Sequence, residues 1–279
     1  MVAANLNGSA VDSLPREYIR ELGLLGAAAA FSCSYDPRAS YYLYAPRRYF
    51  ELETAPLLVL VHGSNRNAYQ LREWYQNFAE LHNAFLLCPL FPTGLIDPND
   101  TDNYKAIEYS GIRYDAILLQ MIEEAVARYP RLEPSKFCLY GFSGGGQFVH
   151  RFTYLHPNRV QALVCGAPGS STEWDFSQDY PRGVKDLEIV FDEGTNVDWK
   201  ALQAIPTLFL CGSLDTDDTF CKVRGRPPLG PEGRLGSCKR LAKSWRRQRG
   251  NVTFLEIEDA KHEERKFINA VCAFIEKVV

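Results

Sequence analysis

The stretch Tyr140-Gly141-Phe142-Ser143-Gly144-Gly145-Gly146 joins a short apolar segment, typical of a strand, to a segment with apolar residues at helical spacing. A serine with one glycine two positions before it and another two positions after it, at such a junction, is typical of a nucleophile elbow. The turn is so tight that side chains at 141 and 145 would collide with neighbouring backbone, and glycine avoids that collision. We therefore predict that Ser143 is held in a strained conformation above a sheet, at the positive end of a helix dipole. A plain glycine-rich turn is the alternative.

The elbow lies in the middle of a chain that alternates strand-like and helix-like segments. A continuous aliphatic run, typical of a parallel strand covered on both faces, occurs at 56–61, and further segments of strand type occur at 84–88, 159–165 and 206–211. Helical periodicity occurs at 66–81, 112–129 and 238–249, and the chain closes with a strand at 251–257 and a helix at 262–279. This alternation predicts an α/β fold of one domain, with a mostly parallel central sheet and helices on both faces.

The beginning of the chain is less patterned. Residues 1–40 are polar and alanine-rich, with one possible helix over 14–25, so we expect them to form an arm on the surface of a domain that spans 41–279. Aromatic-rich segments at 40–46 and 49–53 predict early strands. The long loop from Pro89 to Glu108 is expected to border the site.

Two insertions interrupt the later alternation. Residues 170–205 carry aromatic side chains among Asp and Glu, which predicts a short lid over the site, with Trp174 and Phe176 contacting substrate. The alternative is a surface excursion whose aromatic residues form a local core. The second insertion, residues 220–237, contains three arginines, among them Arg234, which would attract an anionic group; a solvated basic loop is the interpretation we favour.

Composition and charge argue against several classes of partner. The chain has 279 residues, 46% of them hydrophobic, and a formal net charge of -3, which gives no reason to expect nucleic acid or an anionic membrane surface. No apolar run approaches the roughly 18 residues of a membrane helix. The eight cysteines form no CxxC pair and no Cys/His cluster, so we expect no metal site, and no cofactor is implied.

The cysteines also help to predict the cellular compartment of the protein. Several lie in or beside strand-like apolar runs, which is typical of reduced, buried cysteines in an intracellular protein. The first residues contain no basic segment, so we expect no signal peptide and a cytoplasmic location. Cys221 and Cys238 bracket the second insertion, and the same reasoning predicts free thiols at both.

A reactive serine needs a base within hydrogen-bond reach, and that base needs a carboxylate that fixes its tautomer. Of the five histidines, only His262 lies in the loop after the last strand, although a capping histidine at the start of the final helix is the alternative. Asp215 follows a buried strand directly, at the end of the strand where catalytic groups collect in open α/β sheets. The alternative acids lie further from a strand end or too close to the histidine: Asp217, Asp218 and Asp259.

These motifs resemble those of the α/β-hydrolase superfamily from about Tyr41 to Val279, and their spacing is similar to that of the feruloyl-esterase, esterase D and polyhydroxybutyrate-depolymerase-like branch. The matching pieces are Leu60-Val61-His62-Gly63-Ser64, Gly141-Phe142-Ser143-Gly144-Gly145, Gly166-Ala167-Pro168-Gly169, Gly212-Ser213-Leu214-Asp215 and Asp259-Ala260-Lys261-His262. The resemblance implies that Ser143 is the nucleophile, His262 the base and Asp215 its orienting acid.

The same resemblance implies an oxyanion hole made by the backbone amides of Ser64 and Gly144, both aimed at one developing negative charge. This chain departs from the family pattern in two places: three glycines follow Ser143, and Lys261 replaces the small residue usual before the histidine. Neither departure removes a catalytic group.

The expected function is that of a serine hydrolase acting on a carboxylic ester of a small or medium-sized organic molecule through an acyl-enzyme on Ser143. The same triad would also serve a lactone or amide hydrolase or an acyl transferase. A protein that keeps the fold and binds a ligand with little or no turnover is the competing class. The sequence predicts no oligomeric state.

Overall fold

A central sheet organises the protein, for which the computed structural model describes residues 10–133, 135–191, 197–223 and 228–279. Its strands are β1 (Gly26–Ser32), β2 (Ser40–Ala45), β3 (Leu57–Val61), β4 (Phe85–Leu90), β7 (Phe137–Phe142), β8 (Val160–Gly166), β9 (Thr207–Gly212) and β10 (Val252–Ile257), and a separate hairpin contains β5 (Glu108–Tyr109) and β6 (Ile112–Arg113). Within the described residues the eight strands follow the order β1-β2-β4-β3-β7-β8-β9-β10. In the described part of the chain, β2 alone runs opposite to the other strands of this sheet, so the predicted mostly parallel sheet is confirmed.

Helices surround this sheet. Those that the structure describes are α1 (Arg16–Glu21), α2 (Ala68–His82), α3 (Tyr114–Arg128), α4 (Gly144–Leu155), α5 (Leu187–Val190), α6 (Trp199–Ala204), α7 (Thr219–Val223), α8 (Gly233–Arg247) and α9 (Ile268–Ile275). Helix α4 packs on β7 and β8, and α8 packs on β9 and β10. Every residue of β3, β7 and β9 is buried, which explains why these strands are uniformly apolar rather than alternating.

The first forty residues contain a strand that the sequence analysis missed. Strand β1 pairs antiparallel with β2 at the edge of the sheet, whereas the sequence pattern predicts only a surface arm here. Its alanines have low strand propensity, and Ala28 is the only one that is buried. The buried Arg72 of α2 donates a hydrogen bond to the Ala28 carbonyl oxygen and ties this edge to the domain. The predicted helix over 14–25 is limited to α1, and residues 1–9 lie outside the described part of the chain.

Two other expected elements differ. Residues 49–53 were expected to form a strand, but Tyr49–Glu51 is a 3-10 turn whose buried Tyr49 donates its hydroxyl to Asp12 Oδ1 at 2.6 Å. The final helix begins at Ile268 rather than at His262, because residues Glu264–Phe267 first form a 3-10 turn. That turn leaves His262 in a loop and brings Glu264 to the wall of a cavity.

Two further expectations concern the membrane and the cysteines. Among the described residues, the helices are too short or too polar for any of them to span a bilayer. Cys238 carries a free thiol, whose sulfur lies 3.8 Å from the Leu210 carbonyl oxygen. It is not bridged to Cys221 in the structure, and the reduced state of both thiols in the native protein stays a prediction.

Candidate active site

Ser143 occupies the sharp turn between β7 and α4. Its backbone has φ 55° and ψ -110°, a left-handed conformation that is costly for a residue with a side chain. A Cβ atom at Gly141 would lie 2.4 Å from the Gly145 carbonyl oxygen, and one at Gly145 would lie 2.1 Å from the Val61 carbonyl oxygen. Both distances are far below van der Waals contact, so the two glycines are required by the approach of backbone to backbone, as the sequence predicted.

The loops that follow β9 and β10 carry Asp215 and His262 to this serine. They approach each other closely at Gly212, where a Cβ atom would lie 2.2 Å from the Ala260 carbonyl oxygen. The Leu214 amide donates to that same oxygen at 2.9 Å. Because the carboxyl ends of β7, β9 and β10 lie at one edge of the sheet, residues far apart in the chain meet there.

The three side chains form one hydrogen-bonded chain. His262 Nδ1 donates to Asp215 Oδ2 at 2.6 Å, since an ionised carboxylate can only accept, and His262 Nε2 accepts from the Ser143 hydroxyl at 2.9 Å. The Phe142 ring packs against the imidazole with the ring centres 4.6 Å apart. This geometry holds the imidazole in the tautomer that can take a proton from Ser143.

Arg234 contacts the far side of Asp215. Its Nη1 donates to Asp215 Oδ1 at 2.8 Å, and its guanidinium carbon lies 3.8 Å from the centre of the Phe220 ring. Asp215 is only 2% exposed, and burial by itself would raise the pKa of its carboxyl. The hydrogen bond and charge of His262, together with those of Arg234, outweigh burial and hold that pKa below its usual value. Arg234 therefore belongs to the site, and the prediction that it lies in a solvated loop is wrong.

The backbone segments at Ser64 and Gly144 approach each other closely beside Ser143. A Cβ atom at Gly144 would stand 3.2 Å from the Ser64 amide nitrogen, and one at Gly63 would stand 3.7 Å from Ser143 Cβ. Gly144 is the first residue of α4, where an N–H has no partner within the helix. Within the described chain, neither amide donates to a protein acceptor, so both are available to a ligand atom beside Ser143.

Two buried histidines support this region without approaching the serine. His62 Nε2 accepts from the Phe91 amide at 3.0 Å, and its Nδ1 lies 2.8 Å from the Gly63 carbonyl oxygen. His150 makes the same kind of contacts, with the Thr172 amide and the Gly146 carbonyl oxygen. Burial lowers the pKa of each imidazole to about 3, so both are neutral and structural.

Two cavities open beside Ser143 and His262. One of about 520 Å³ is lined also by Trp74, Phe142 and Glu264. A smaller one of about 210 Å³ is lined by Ser64, Lys105, Ser143, Gln147, Gly169, Phe220, Arg234 and His262. Among the described residues, no group of three or more His, Cys, Asp or Glu is arranged to hold a metal ion.

Glu264 is a feature of the larger cavity that the sequence analysis did not identify. Asn67 Nδ2 donates to its Oε2 at 2.9 Å, and the Tyr140 hydroxyl donates to its Oε1 at 3.4 Å. Burial raises the pKa of Glu264 to about 7, against the lowering effect of those two hydrogen bonds. A carboxyl that titrates near neutral pH therefore lies two residues after His262.

The structure does not bring Trp174 and Phe176 to either cavity beside Ser143. Trp174 is 2% exposed and stacks on Trp199 with ring centres 5.4 Å apart, and its ring also packs edge-on against Trp245 of α8 at 5.5 Å. Phe176 is 47% exposed and packs on the edge of Trp199. These contacts match the local-core alternative for residues 170–205 and argue against substrate contact. Residues 192–196 of that segment, like 224–227 of the second insertion, lie outside the described residues.

The sheet order, the turn after β7 and the loops after β9 and β10 define an α/β-hydrolase fold. Among solved structures, the chain is similar to poly(aspartic acid) hydrolase-1 from Sphingomonas sp. KT-1 (TM-score 0.73, 23% identity, 89% of this chain and 97% of that one). It is also similar to a poly(3-hydroxybutyrate) depolymerase from Bordetella parapertussis (0.70, 21%, 92% and 92%) and to an S-formylglutathione hydrolase from Agrobacterium tumefaciens (0.58, 15%, 86% and 88%).

No family model and no curated protein matches the sequence. The solved structures confirm the α/β-hydrolase fold that the motifs indicated. At these identities the likeness establishes the fold alone, so the activity has to be argued from the site.

Proposed function

We propose that this protein is a serine hydrolase that cleaves a carboxylic ester through an acyl-enzyme on Ser143. One observation carries the proposal: the hydrogen-bonded chain from Ser143 through His262 to Asp215, with distances of 2.9 and 2.6 Å. A binding protein needs neither a strained serine nor a base that is held in one tautomer by a buried carboxylate. The whole arrangement is therefore better explained by catalysis than by ligand binding.

In the proposed reaction, Ser143 Oγ attacks the ester carbonyl carbon while its proton passes to His262 Nε2. The carbonyl oxygen becomes an oxyanion that accepts hydrogen bonds from the Ser64 and Gly144 amides. When the tetrahedral intermediate collapses, the carbon–oxygen bond to the alcohol breaks and His262 returns the proton to the leaving oxygen. Water then attacks the carbonyl carbon of the acyl-enzyme and gives a proton to the same nitrogen. The bond between that carbon and Ser143 Oγ breaks, His262 returns the proton to Ser143, and the acid leaves.

Asp215 stabilises the imidazolium that exists between these proton transfers. Its carboxylate accepts from His262 Nδ1, and Arg234 holds the other oxygen, so the group cannot rotate to release the histidine. Removing such an orienting carboxylate costs about 10⁴-fold in turnover in a well-studied serine protease. We assign Asp215 the same role here.

The cavities support a small or medium-sized substrate. The larger one presents Trp74 and Phe142 beside Ser143, which suits an apolar or aromatic group. An amide bond is the second candidate, because one of the similar solved structures is a hydrolase of poly(aspartic acid), whose units are joined by amides.

We also propose that the protein works in the reducing environment of the cytoplasm. Thiols such as those of Cys88, Cys165 and Cys238 are buried and free, and burial raises the pKa of the Cys88 and Cys165 thiols above the ordinary value. Such thiols resist oxidation and act as small apolar side chains.

The proposed function is tested by steady-state hydrolysis of p-nitrophenyl esters of graded acyl length. Ser143→Ala should lower kcat/KM by at least about 10³-fold with an unchanged melting temperature. Ser135→Ala is the matched control, because this exposed serine lies at the opposite end of β7. Comparable hydrolysis by folded Ser143→Ala and the wild type would refute the proposal.

A further inference from the structure

A buried lysine lies beside the proposed oxyanion hole. Lys105 belongs to the 3-10 turn Asn103–Ala106, and its side chain is only 4% exposed. Its Nζ donates to Ser64 Oγ at 2.7 Å and makes an ion pair with Asp102. Burying an ammonium group is costly even when it is paired, so its place in the site calls for a physical reason.

The position of Lys105 relative to Gly144 supplies that reason. A Cβ atom at Gly144 would stand 2.8 Å from Lys105 Cε and 3.2 Å from the Ser64 amide nitrogen. The end of the lysine side chain therefore lies next to both amides that would bind the oxyanion. Lys105 also lines the smaller cavity together with Ser143 and His262.

The loop that carries Ser64 is held by the same segment through neutral and charged contacts. Arg66, in a left-handed backbone conformation at φ 54°, donates to the Ser64 carbonyl oxygen at 2.9 Å and to Asn103 Oδ1 at 3.0 Å. The Tyr104 hydroxyl donates to the His62 carbonyl oxygen at 2.8 Å. Residues 62–66 and 102–105 thus form one hydrogen-bonded unit, which includes the contact between Lys105 and Ser64.

We infer that Lys105 is a positioning residue for the oxyanion hole, an inference that rests on the proposed function. Through Ser64 Oγ it fixes the direction of the Ser64 amide, and its buried charge stabilises the negative charge that develops on the substrate oxygen. Asp102 pairs with the ammonium group and aligns it in the ground state. Gly144 is required beside it, since any side chain there would displace both the lysine and the Tyr104 hydroxyl, which is 2.6 Å from the same point.

A purely structural role for Lys105 predicts different kinetics. If Lys105 only stabilised the loop, its loss would lower the melting temperature and raise KM, while the affinity for a tetrahedral adduct would change no more than the affinity for substrate. If it acts on the oxyanion, the affinity for a transition-state analogue and kcat should fall together, and KM should stay nearly constant.

The experiment measures kcat, KM and the inhibition constant of a trifluoromethyl ketone, whose adduct with a serine carries an oxyanion. Lys105→Met keeps the length of the side chain and removes the charge and the donor. We expect it to lower kcat and ketone affinity by about 10- to 100-fold each, with KM changed less than about threefold. Lys136→Met, at an exposed position before β7, is the matched control and should leave all three values unchanged.

Lys105→Gln separates the effect of the charge from that of the hydrogen bond, because glutamine can still donate to Ser64 Oγ. The same variant replaces Lys105→Met in the experiment if the Met variant does not fold. We expect an intermediate loss of ketone affinity. Loss of less than about threefold in both variants, or a rise in KM alone, would overturn the inference while the proposed function stood. A wild type that neither hydrolyses esters nor binds the ketone at Ser143 would overturn both.

Discussion

Replacing Asp215 by Asn tests how the acid orients His262. Its Oδ1 accepts from Arg234 Nη1 and its Oδ2 accepts from His262 Nδ1, so the two oxygens have different partners. Because Arg234 can only donate, the new side chain in Asp215→Asn must turn its amide oxygen toward the arginine and its NH₂ group toward the histidine. His262 Nδ1 would then have to accept, and the proton would move to Nε2, the nitrogen that must receive the proton of Ser143.

The expected loss of turnover follows from the change of His262 tautomer. Only the minor fraction of molecules that carry the proton on His262 Nδ1 can accept a proton from Ser143. In a serine protease, the same acid-to-amide change lowers turnover by about 10⁴-fold, which corresponds to about 5.5 kcal/mol in activation free energy. We expect a loss of about 10³- to 10⁴-fold in kcat for Asp215→Asn, with KM and melting temperature little changed. Asn variants of the other candidate acids should lose less than about threefold: Asp217, Asp218 and Asp259.

The assay compares the four single variants on one p-nitrophenyl ester under identical conditions. Asp217 accepts from the amide and the hydroxyl of Thr219, and Asp259 is exposed, whereas His262 Nδ1 has Asp215 Oδ2 as its partner. A loss below about tenfold in Asp215→Asn, or a larger loss in any of the other three, would show that the orienting acid is wrongly assigned.

Three further predictions concern residues outside the triad. Trp174→Ala should lower the free energy of unfolding by about 3–5 kcal/mol and leave KM and acyl preference unchanged. Phe176→Ala should have little effect on stability or kinetics. An altered acyl preference in either variant would restore the lid interpretation. The pKa of Glu264 is about 7 in the folded protein and about 4.5 in the unfolded chain, so the folded state holds the proton more tightly. The free energy of unfolding should therefore fall by about 3 kcal/mol as the pH rises from about 4.5 to about 7. Urea unfolding of Glu264→Gln at about pH 5 and about pH 8 should lack that fall, and an equal pH dependence in both proteins would contradict the assignment. Native protein that is unfolded without reductant should show eight alkylatable cysteines, and two fewer, mapped to Cys221 and Cys238, would contradict both the thiol prediction and the cytoplasmic location.

The features that the sequence predicted correctly depend on local geometry or on the rules of parallel sheets. Gly141 and Gly145 are required because a side chain at either position would collide with nearby backbone, in the turn itself or in the neighbouring strand β3. The spacing of these glycines around Ser143 therefore predicts the turn. Asp215 and His262 follow strands directly, and the ends of parallel strands share one edge of the sheet. Their meeting with Ser143 could therefore be predicted without any knowledge of side-chain packing.

The features that it missed depend on contacts between distant segments. Lys105 lies in a loop that was expected to border the site, but only tertiary packing shows that it reaches Ser64 rather than solvent. Trp174 has the composition of a lid residue, and its burial is decided by Trp245, which lies on a helix much later in the chain. The alanines of β1 have little strand propensity, and their pairing with β2 at the sheet edge overrides it.

The central claim, that Ser143 is an activated nucleophile, is tested most directly by covalent labelling. A fluorophosphonate probe followed by peptide mass mapping should place a single adduct on Ser143 in the wild type. The Ser143→Ala variant should take up no label, and His262→Ala should react at least about 10³-fold more slowly, because the serine then lacks its base. An adduct on another residue, or active ester hydrolysis in protein that the probe leaves unmodified at Ser143, would contradict the account.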